Sequence, residues 1–441
     1  MEWRTVTSCT LAMGELDGRH VITIEGLSAA GLTPVMAAML DEGASQCGFC
    51  SPGFVLALTG FLVSGARIDP VAAMMAVEGN LCRCTGYGSI RRAAARLAAE
   101  FADLPSDMAD RLCVLADRQV LPAGLAALMT SPVQPAATGS ASGSNLWLGG
   151  GTDYFVRNPD PEPDIDPQFV GSGLAARSIT SAMVDGIAVL RLGAAVNASD
   201  FFHSKLVDTT VPGMARFECE VASPPIRNRA TLTGNIANAS PIADMTAMLI
   251  ALDARLEIAG GPLVAASPGT TNPAASPATD KATDTECADQ CRLVALPDFF
   301  KGYKQVDLAP GEWIAGIIMP AAPVRFNFEK AAKRARLDIA TVNTAMAVTM
   351  QADGSIATAR YAAGGIAPVP LRLRDVEAAL IGQRPSANLA RTIGQLAAAA
   401  GAPISDVRGS AAYRRRLMQR LAWAHFIRLW PELQLDEELL S

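Results

Sequence analysis

Apolar positions between residues 28 and 102 recur at helical spacing. Thr33-Pro34 opens one such stretch, which runs to Glu42. Ser51-Pro52 opens a second, with Phe54, Val55, Leu58, Phe61 and Leu62 on one side. Asp69-Pro70 opens a third, and a fourth covers residues 89–101. A Ser, Thr or Asp followed by Pro suits a helix start, because the side-chain oxygen takes an orphan amide and Pro has no amide to lose. The expectation is a compact four-helix unit. Ahead of it, residues 5–11 and 21–26 read as two strands around the turn at residues 16–19. A lone hairpin is marginal in water, so this pair reads as the tail of a sheet whose other strands are absent or supplied elsewhere.

After residue 102 the pattern changes. Residues 103–144 read as a connector ending in a flexible Ser/Pro/Ala/Gly run. Residues 145–148 read as a buried strand that runs into Gly149-Gly150-Gly151-Thr152-Asp153. Such a turn is either a plain tight turn or a bare backbone whose amides can approach a phosphate. Residues 187–193 form a strand, and a helix begins near Phe201 with Ser199 as its cap. Residues 226–244 read as a long loop of small and polar residues, leading into an apolar helix at 245–252. Loops of that length are uncommon unless they bind something. Residues 260–290 have the composition of a disordered insertion. A strand at 313–319 follows, then strands at 339–350 and 355–362 joined by a hairpin turn at Asp353-Gly354. Helices at 373–380, 389–399 and 412–429 close the chain, with Arg414, Arg415 and Arg416 placed on a solvated face.

Length and composition narrow the class. The 441 residues suggest about three domains. The chain is 50% hydrophobic with a formal net charge of -6 and has no basic run that would form a stripe, which argues against nucleic acid as a partner. No secretory signal opens the sequence, and no purely apolar window is long enough for a membrane helix, so a cytoplasmic location is expected. In that compartment thiols stay reduced, and clustered cysteines read as metal ligands. Cys47 and Cys50 form C-x2-C; Cys82 and Cys84 form C-x-C after a gap of 31 residues. Each pair would bite one side of a small metal centre, and all-Cys ligation suits zinc or iron–sulfur. The C-x-C spacing is tighter than zinc sites use, which favours a 2Fe-2S cluster. The remaining cysteines lack a tight second pair. His20, His203 and His425 lie outside every motif and read as structural or surface residues.

The order of cysteines, glycine turn and the Gly234-Asn235-Ile236-Ala237-Asn238-Ala239-Ser240-Pro241-Ile242-Ala243-Asp244 loop resembles the small iron–sulfur and FAD-carrying subunit of bacterial xanthine dehydrogenases, in the molybdenum hydroxylase family. The resemblance implies a multi-domain α+β chain. A remnant of a plant-type ferredoxin domain would occupy residues 1–27, an all-α 2Fe-2S domain 28–103, and a linker 104–144. A PCMH-type α+β FAD-binding domain would follow over 145–320. An α/β domain resembling the carbon monoxide dehydrogenase flavoprotein C-terminal domain would cover 321–441.

Site residues carry over by the same resemblance. Cys47, Cys50, Cys82 and Cys84 would hold one 2Fe-2S cluster. Leu148, Gly149, Gly150, Gly151, Thr152 and Asp153 would wrap the FAD pyrophosphate. Gly234, Asn235, Asn238, Ser240 and Asp244 would form the second FAD loop, with Ile314 and Lys330 contacting the adenine or flavin side. Tyr303 matches an aromatic where the nicotinamide of NAD+ docks. Cys9 matches the fourth ligand of a second cluster whose other three ligands this sequence lacks, as an N-terminally short product would. Val221 replaces a Phe that often sits near the flavin in the family.

The implied activity is electron transfer from a large partner subunit, which holds the molybdenum cofactor and hydroxylates hypoxanthine or xanthine, through 2Fe-2S and FAD to NAD+. No general acid or base is assigned to this chain. Two other readings stand beside it. One is the small subunit of another molybdenum hydroxylase, of the aldehyde or carbon monoxide type. The other is a degenerate assembly module.

Overall fold

The computed structural model describes residues 3–16, 19–65, 67–131, 146–160, 168–170, 175–260 and 291–440. The expected insertion at 260–290 lies, apart from Gly260, outside them. The chain divides into two compact units. The first comprises Met1–Ala141 with Cys219–Ala230, and the second Ser142–Glu218 with Thr231–Ser441.

In the first unit the helices are α1 (Ile24–Ser28), α2 (Pro34–Asp41), α3 (Ser51–Val63), α4 (Pro70–Ala76), α5 (Gly88–Glu100), α6 (Met108–Asp117) and α7 (Ala123–Thr130). The caps explain the starts. Thr33 accepts from the Met36 amide, and Asp69 accepts from the amides of Val71 and Ala72, each with Pro at the first turn. Phe54, Leu58, Leu62, Ile90, Leu97 and Phe101 are fully buried in one core. Two expectations fail here. Residues 103–130 are not a connector, since α6 and α7 send Leu112, Leu115 and Met129 into that same core. The hairpin of residues 5–11 and 21–26 does not form. Ser8–Thr10 and Met13–Leu16 are 3-10 turns, and residues 24–26 start α1. Two strands without a third to pair with gain too little ladder and burial to hold.

In the second unit, β1 (Trp147–Leu148) leads through the glycines into α8 (Thr152–Arg157) and pairs in parallel with β2 (Gln168–Phe169). Then come β3 (Ile179–Val184), β4 (Ile187–Gly193), α9 (Ala198–His203) and α10 (Lys205–Thr210). The cap of α9 is Asn197, not Ser199: Asn197 accepts from the Asp200 amide while Asp200 reaches back, a capping box. The short helix α11 (Pro224–Arg227) belongs to the first unit. There Pro225 packs on Gly79, and Asn228 donates to the Thr5 carbonyl. Back in the second unit follow α12 (Leu232–Ala237), α13 (Asp244–Ala251), β5 (Arg255–Ala259), β6 (Arg292–Ala295), the hairpin β7 (Phe300–Gly302) and β8 (Gln305–Val306), and β9 (Trp313–Pro320). The sheet order is β3-β4-β9-β5-β6, antiparallel throughout. The long loop expected at 226–244 is therefore broken by α11 and α12, because Ser223-Pro224 and Thr231 start helices there.

The C-terminal part carries the antiparallel sheet β10 (Arg325–Ala331), β11 (Val342–Met350), β12 (Ile356–Gly364) and β13 (Leu371–Arg372). The expected hairpin forms, with Gly354 at φ +85. Helices α14 (Arg374–Leu380), α15 (Ala387–Ala399), α16 (Ala411–Leu429) and α17 (Leu435–Leu440) follow. Tyr361, Ile393, Ala422 and Phe426 share one core. Arg414 is not on a solvated face. It is 3% exposed and donates to the carbonyls of Thr341 and Gly365 and to Asp406. Arg415 and Arg416 are exposed. His425 is fully buried between Asn327 and Thr344, whereas His203 is mostly exposed against Glu218. Among the described residues no helix is long and apolar enough to cross a membrane.

Candidate cluster and flavin sites

Cys47 and Cys50 precede and cap α3; Cys82 and Cys84 lie between α4 and α5. Gly48 at φ +82 and Gly86 at φ +61 take backbone turns that a side chain would strain, and each turn carries its cysteines round. Gly53, in the first turn of α3, has the Asn80 amide 2.8 Å from where a Cβ would stand, so the two cysteine loops are packed against each other. The four thiols make two contacts that cross between the motifs, although among the described residues no group of three ligating side chains is gathered closely enough to hold a metal ion. The Cys47 and Cys84 sulfurs lie 3.5 Å apart, and Cys50 shares a hydrogen bond with Cys82. Each of these contacts takes one cysteine from each loop.

The surroundings favour thiolate at Cys82. Its thiol is pushed down to about 7, first by the Thr85 hydroxyl at 3.1 Å and then by the Thr85 and Cys84 amides. The Phe49 amide lowers Cys47, while burial raises Cys50 and the Cys47 contact raises Cys84. The Tyr87 hydroxyl, accepting from the Cys82 amide, ties the second loop to the start of α5. Tyr87 itself sits at φ 64, where only a residue held by such contacts persists. A set of four sulfurs with amide and hydroxyl donors around them fits an all-thiolate iron–sulfur centre. Cys9 lies exposed in the turn Ser8–Thr10.

In the second unit the two glycine-rich segments meet at one side chain that sequence reasoning did not single out. A Cβ on Gly149 would stand 2.5 Å from the Thr231 hydroxyl, and one on Gly234 2.7 Å from the same atom. That hydroxyl accepts from the Gly234 amide as the cap of α12. The signal was Thr231 itself, a Thr three residues ahead of Gly234, which is N-cap spacing. Gly151, at φ +70, turns the chain from β1 into α8. Leu148 is buried, while Gly149, Gly150 and Gly151 are half-buried and Thr152 is exposed. Asp153 pairs with Arg157 at 2.8 Å.

The second segment is braced from the C-terminal sheet. Asp244 forms an ion pair with Lys330 at 2.7 Å and accepts from Asn343 at 2.6 Å; Lys330 is only 4% exposed. The Gly365 amide donates to the Pro241 carbonyl, and Ser240 opens the turn that delivers Asp244. Asn235 accepts from the Thr246 hydroxyl. Asn238 accepts from both Arg157 and Lys304. Ile314 is buried on β9, whose Trp313 stacks on Trp147 with ring centroids 4.8 Å apart. Tyr303 is 64% exposed at the tip of the β7–β8 hairpin. Bare glycine turns converging on a single hydroxyl, with a loop pinned by a buried ion pair, suit a phosphate-bearing cofactor such as FAD.

Comparison with known proteins agrees. Residues 23–95 match the [2Fe-2S] binding domain, 181–262 the FAD binding domain in molybdopterin dehydrogenase, and 328–429 the CO dehydrogenase flavoprotein C-terminal domain. The chain carries a 2Fe-2S binding domain and an FAD-binding domain. It is 24% identical to xanthine dehydrogenase 1 of Arabidopsis thaliana over 86% of this chain and 31% of that protein. It is 39% identical to the small subunit of nicotine 6-hydroxylase of Paenarthrobacter nicotinovorans over 20% of this chain and 54% of that one. The fold is shared with carbon monoxide dehydrogenase from Hydrogenophaga pseudoflava, at a TM-score of 0.54 and 23% identity over 66% of this chain and 91% of that one. The chain spans about a third of the length of the curated relatives that it matches along most of its own length.

Proposed function

We propose that this chain is the electron-transfer subunit of a xanthine dehydrogenase-type molybdenum hydroxylase, working with a large partner subunit that binds the molybdenum cofactor. The observation that carries the reading is the pair of contacts between the two cysteine loops, Cys47 with Cys84 and Cys50 with Cys82, on the same chain as two glycine segments joined at Thr231. In this reading the four cysteines hold one 2Fe-2S cluster, and residues 1–27, 28–103, 145–320 and 321–441 are its successive parts. Leu148, Gly149, Gly150, Gly151, Thr152 and Asp153 receive the FAD pyrophosphate. Gly234, Asn235, Asn238, Ser240, Asp244, Ile314 and Lys330 complete the flavin site, and Tyr303 receives NAD+. When bound, the cluster carries electrons singly and the flavin gathers two for transfer as hydride.

The chain's own work is positioning. The Thr85 hydroxyl and the loop amides stabilise negative sulfur at the cluster. Gly149 and Gly151 let Thr231 and Phe155 pack against the turn, which fixes the backbone amides that would face a diphosphate. Lys330 and Asn343 hold Asp244 at the start of α13. The protein stays in the cytoplasm in this reading, and the oxidation of purines such as hypoxanthine and xanthine falls to the partner.

The likeness of fold to carbon monoxide dehydrogenase supports a second reading, with a partner of the aldehyde or carbon monoxide type. Co-expression of the chain with candidate molybdenum-binding large subunits from its own source separates them. Xanthine-dependent reduction of NAD+ is the expected result. Turnover of aldehydes or carbon monoxide without xanthine oxidation would overturn the purine assignment.

A further inference from the structure

Three consecutive side chains brace the backbone just ahead of Thr231. Arg227, 2% exposed, donates to the carbonyls of Val221 and Ala222 and closes its own segment on itself. Asn228 donates to the Thr5 carbonyl at 2.9 Å. The Arg229 guanidinium pairs with the Glu15 carboxylate at 2.5 Å, with both side chains nearly buried. Thr5 and Glu15 lie 223 and 214 residues from these partners in sequence. All four belong to the first unit, whose boundary falls between Ala230 and Thr231.

The N-terminal segment is itself firmly seated. Trp3 packs on the core of the first unit, and its indole N–H donates to the Met129 carbonyl at 3.3 Å. A Cβ on Gly60 would collide with the Thr5 methyl. Gly60 stands inside α3, where glycine is a poor helix former, so helix propensity is given up where Thr5 needs the room. A buried ion pair likewise adds little stability over apolar residues of the same size, while it fixes which groups meet. Both features point to placement as what these contacts supply.

We propose that Thr5, Glu15 and Gly60 are positioning residues for the flavin site: residues 3–15 hold Asn228 and Arg229, and so fix the entry of the chain into Thr231. The proposal rests on the reading that Gly149 and Gly234, which meet at the Thr231 hydroxyl, belong to the FAD site. Thr231 follows Arg229 by two residues across planar, stiff peptide bonds. A shift of Arg229 is therefore passed to the cap of α12 and to the glycine turn that leans on it.

The test uses the full chain with its cluster reconstituted. FAD is removed and titrated back, followed by the quenching of its fluorescence. Iron per chain is measured alongside, for the wild type, Glu15→Gln, Glu15→Asp and Gly60→Ala. Glu15→Gln and Gly60→Ala are each expected to bind FAD about tenfold more weakly, with iron content unchanged. Glu15→Asp keeps the charge and is expected to recover most of the affinity. Gly60→Ala leaves the ion pair in place and improves the helix, so its loss of affinity comes from moving Thr5 and not from unfolding. Unchanged FAD affinity in either Glu15→Gln or Gly60→Ala, or equal weakening in Glu15→Asp and Glu15→Gln, would overturn the proposal alone. Loss of iron together with flavin would show the segment holding the first unit as a whole, and would overturn it likewise. A wild type that binds no FAD would overturn the reading of the flavin site, and the proposal with it.

Discussion

The hydroxyl of Thr231 stands 2.5 Å from the point where Gly149 would carry a β-carbon. The first glycine turn therefore has its shape only because Gly149 has no side chain, and Thr231 fills the space while capping the helix that carries Gly234. Gly149→Ala is expected to push the two segments apart and lower the FAD content of purified protein by at least half. Thr231→Ala alone loses a cap worth about 1 kcal/mol. It also removes the clashing atom, so the double variant Gly149→Ala/Thr231→Ala is expected to retain more flavin than Gly149→Ala does. That non-additivity marks direct coupling. Equal flavin content in the single and double variants would refute the contact.

Lys330 and Asp244 form a buried pair across the flavin and C-terminal parts of the second unit. Removing one partner leaves a buried charge. Lys330→Met is expected to destabilise that unit by about 3 kcal/mol, seen as a lower melting temperature. Lys330→Met/Asp244→Asn, which removes both charges, is expected to recover part of the loss. A single variant that melts with the wild type would show that the pair is not holding the loop.

His425 sits fully buried, and burial pushes its imidazole down to about 3. Its folded value lies below its unfolded one, so the neutral form belongs to the fold. Its stabilising contribution is complete above about pH 6.5 and is lost as pH falls toward 3. Within that window the slope from this one group is at most about 1.4 kcal/mol per pH unit. Denaturant titrations between pH 7 and 5 are expected to show falling stability, with a flatter profile in His425→Gln. Parallel profiles would contradict a buried neutral histidine.

Thr85 donates to the Cys82 sulfur through its amide, and its hydroxyl lies 3.1 Å from the same atom. Hydrogen bonds to cluster sulfurs stabilise the reduced, more negative state. Thr85→Val is expected to shift the cluster midpoint potential to more negative values, and Thr85→Ser to leave it near the wild type. A redox titration followed by electron paramagnetic resonance reads the shift directly. No difference between Val and Ser would mean that the hydroxyl does not bear on the cluster.

Much of this was legible because it is local. Thr33-Pro34 and Asp69-Pro70 mark helix starts by capping chemistry alone, and the Asp353-Gly354 turn announces its hairpin. The cysteine spacing indicates a shared centre. The partnering within it was not legible, because the contact of Cys47 with Cys84 depends on how two loops 37 residues apart meet in space. Tertiary packing also decided residues 103–130. They read as part of the connector ahead of the Ser/Pro/Ala/Gly run until Leu112, Leu115 and Met129 find the core. Arg414 followed the same rule in reverse, since a triple-Arg run suggests solvent until two carbonyls and a carboxylate enclose its first member. Residues 5–26 have strand-like composition and no partner strand among the described residues, so 3-10 turns and α1 take their place.

The central claim is that this one chain holds a 2Fe-2S cluster on Cys47, Cys50, Cys82 and Cys84 together with FAD. Iron, zinc and flavin analysis of the reconstituted chain, with its visible spectrum, tests it most directly. The account predicts about two iron atoms and one FAD per chain, with flavin bands over iron–sulfur absorbance, and loss of the iron but not the flavin in Cys82→Ser. A colourless protein holding zinc at the four cysteines would contradict it.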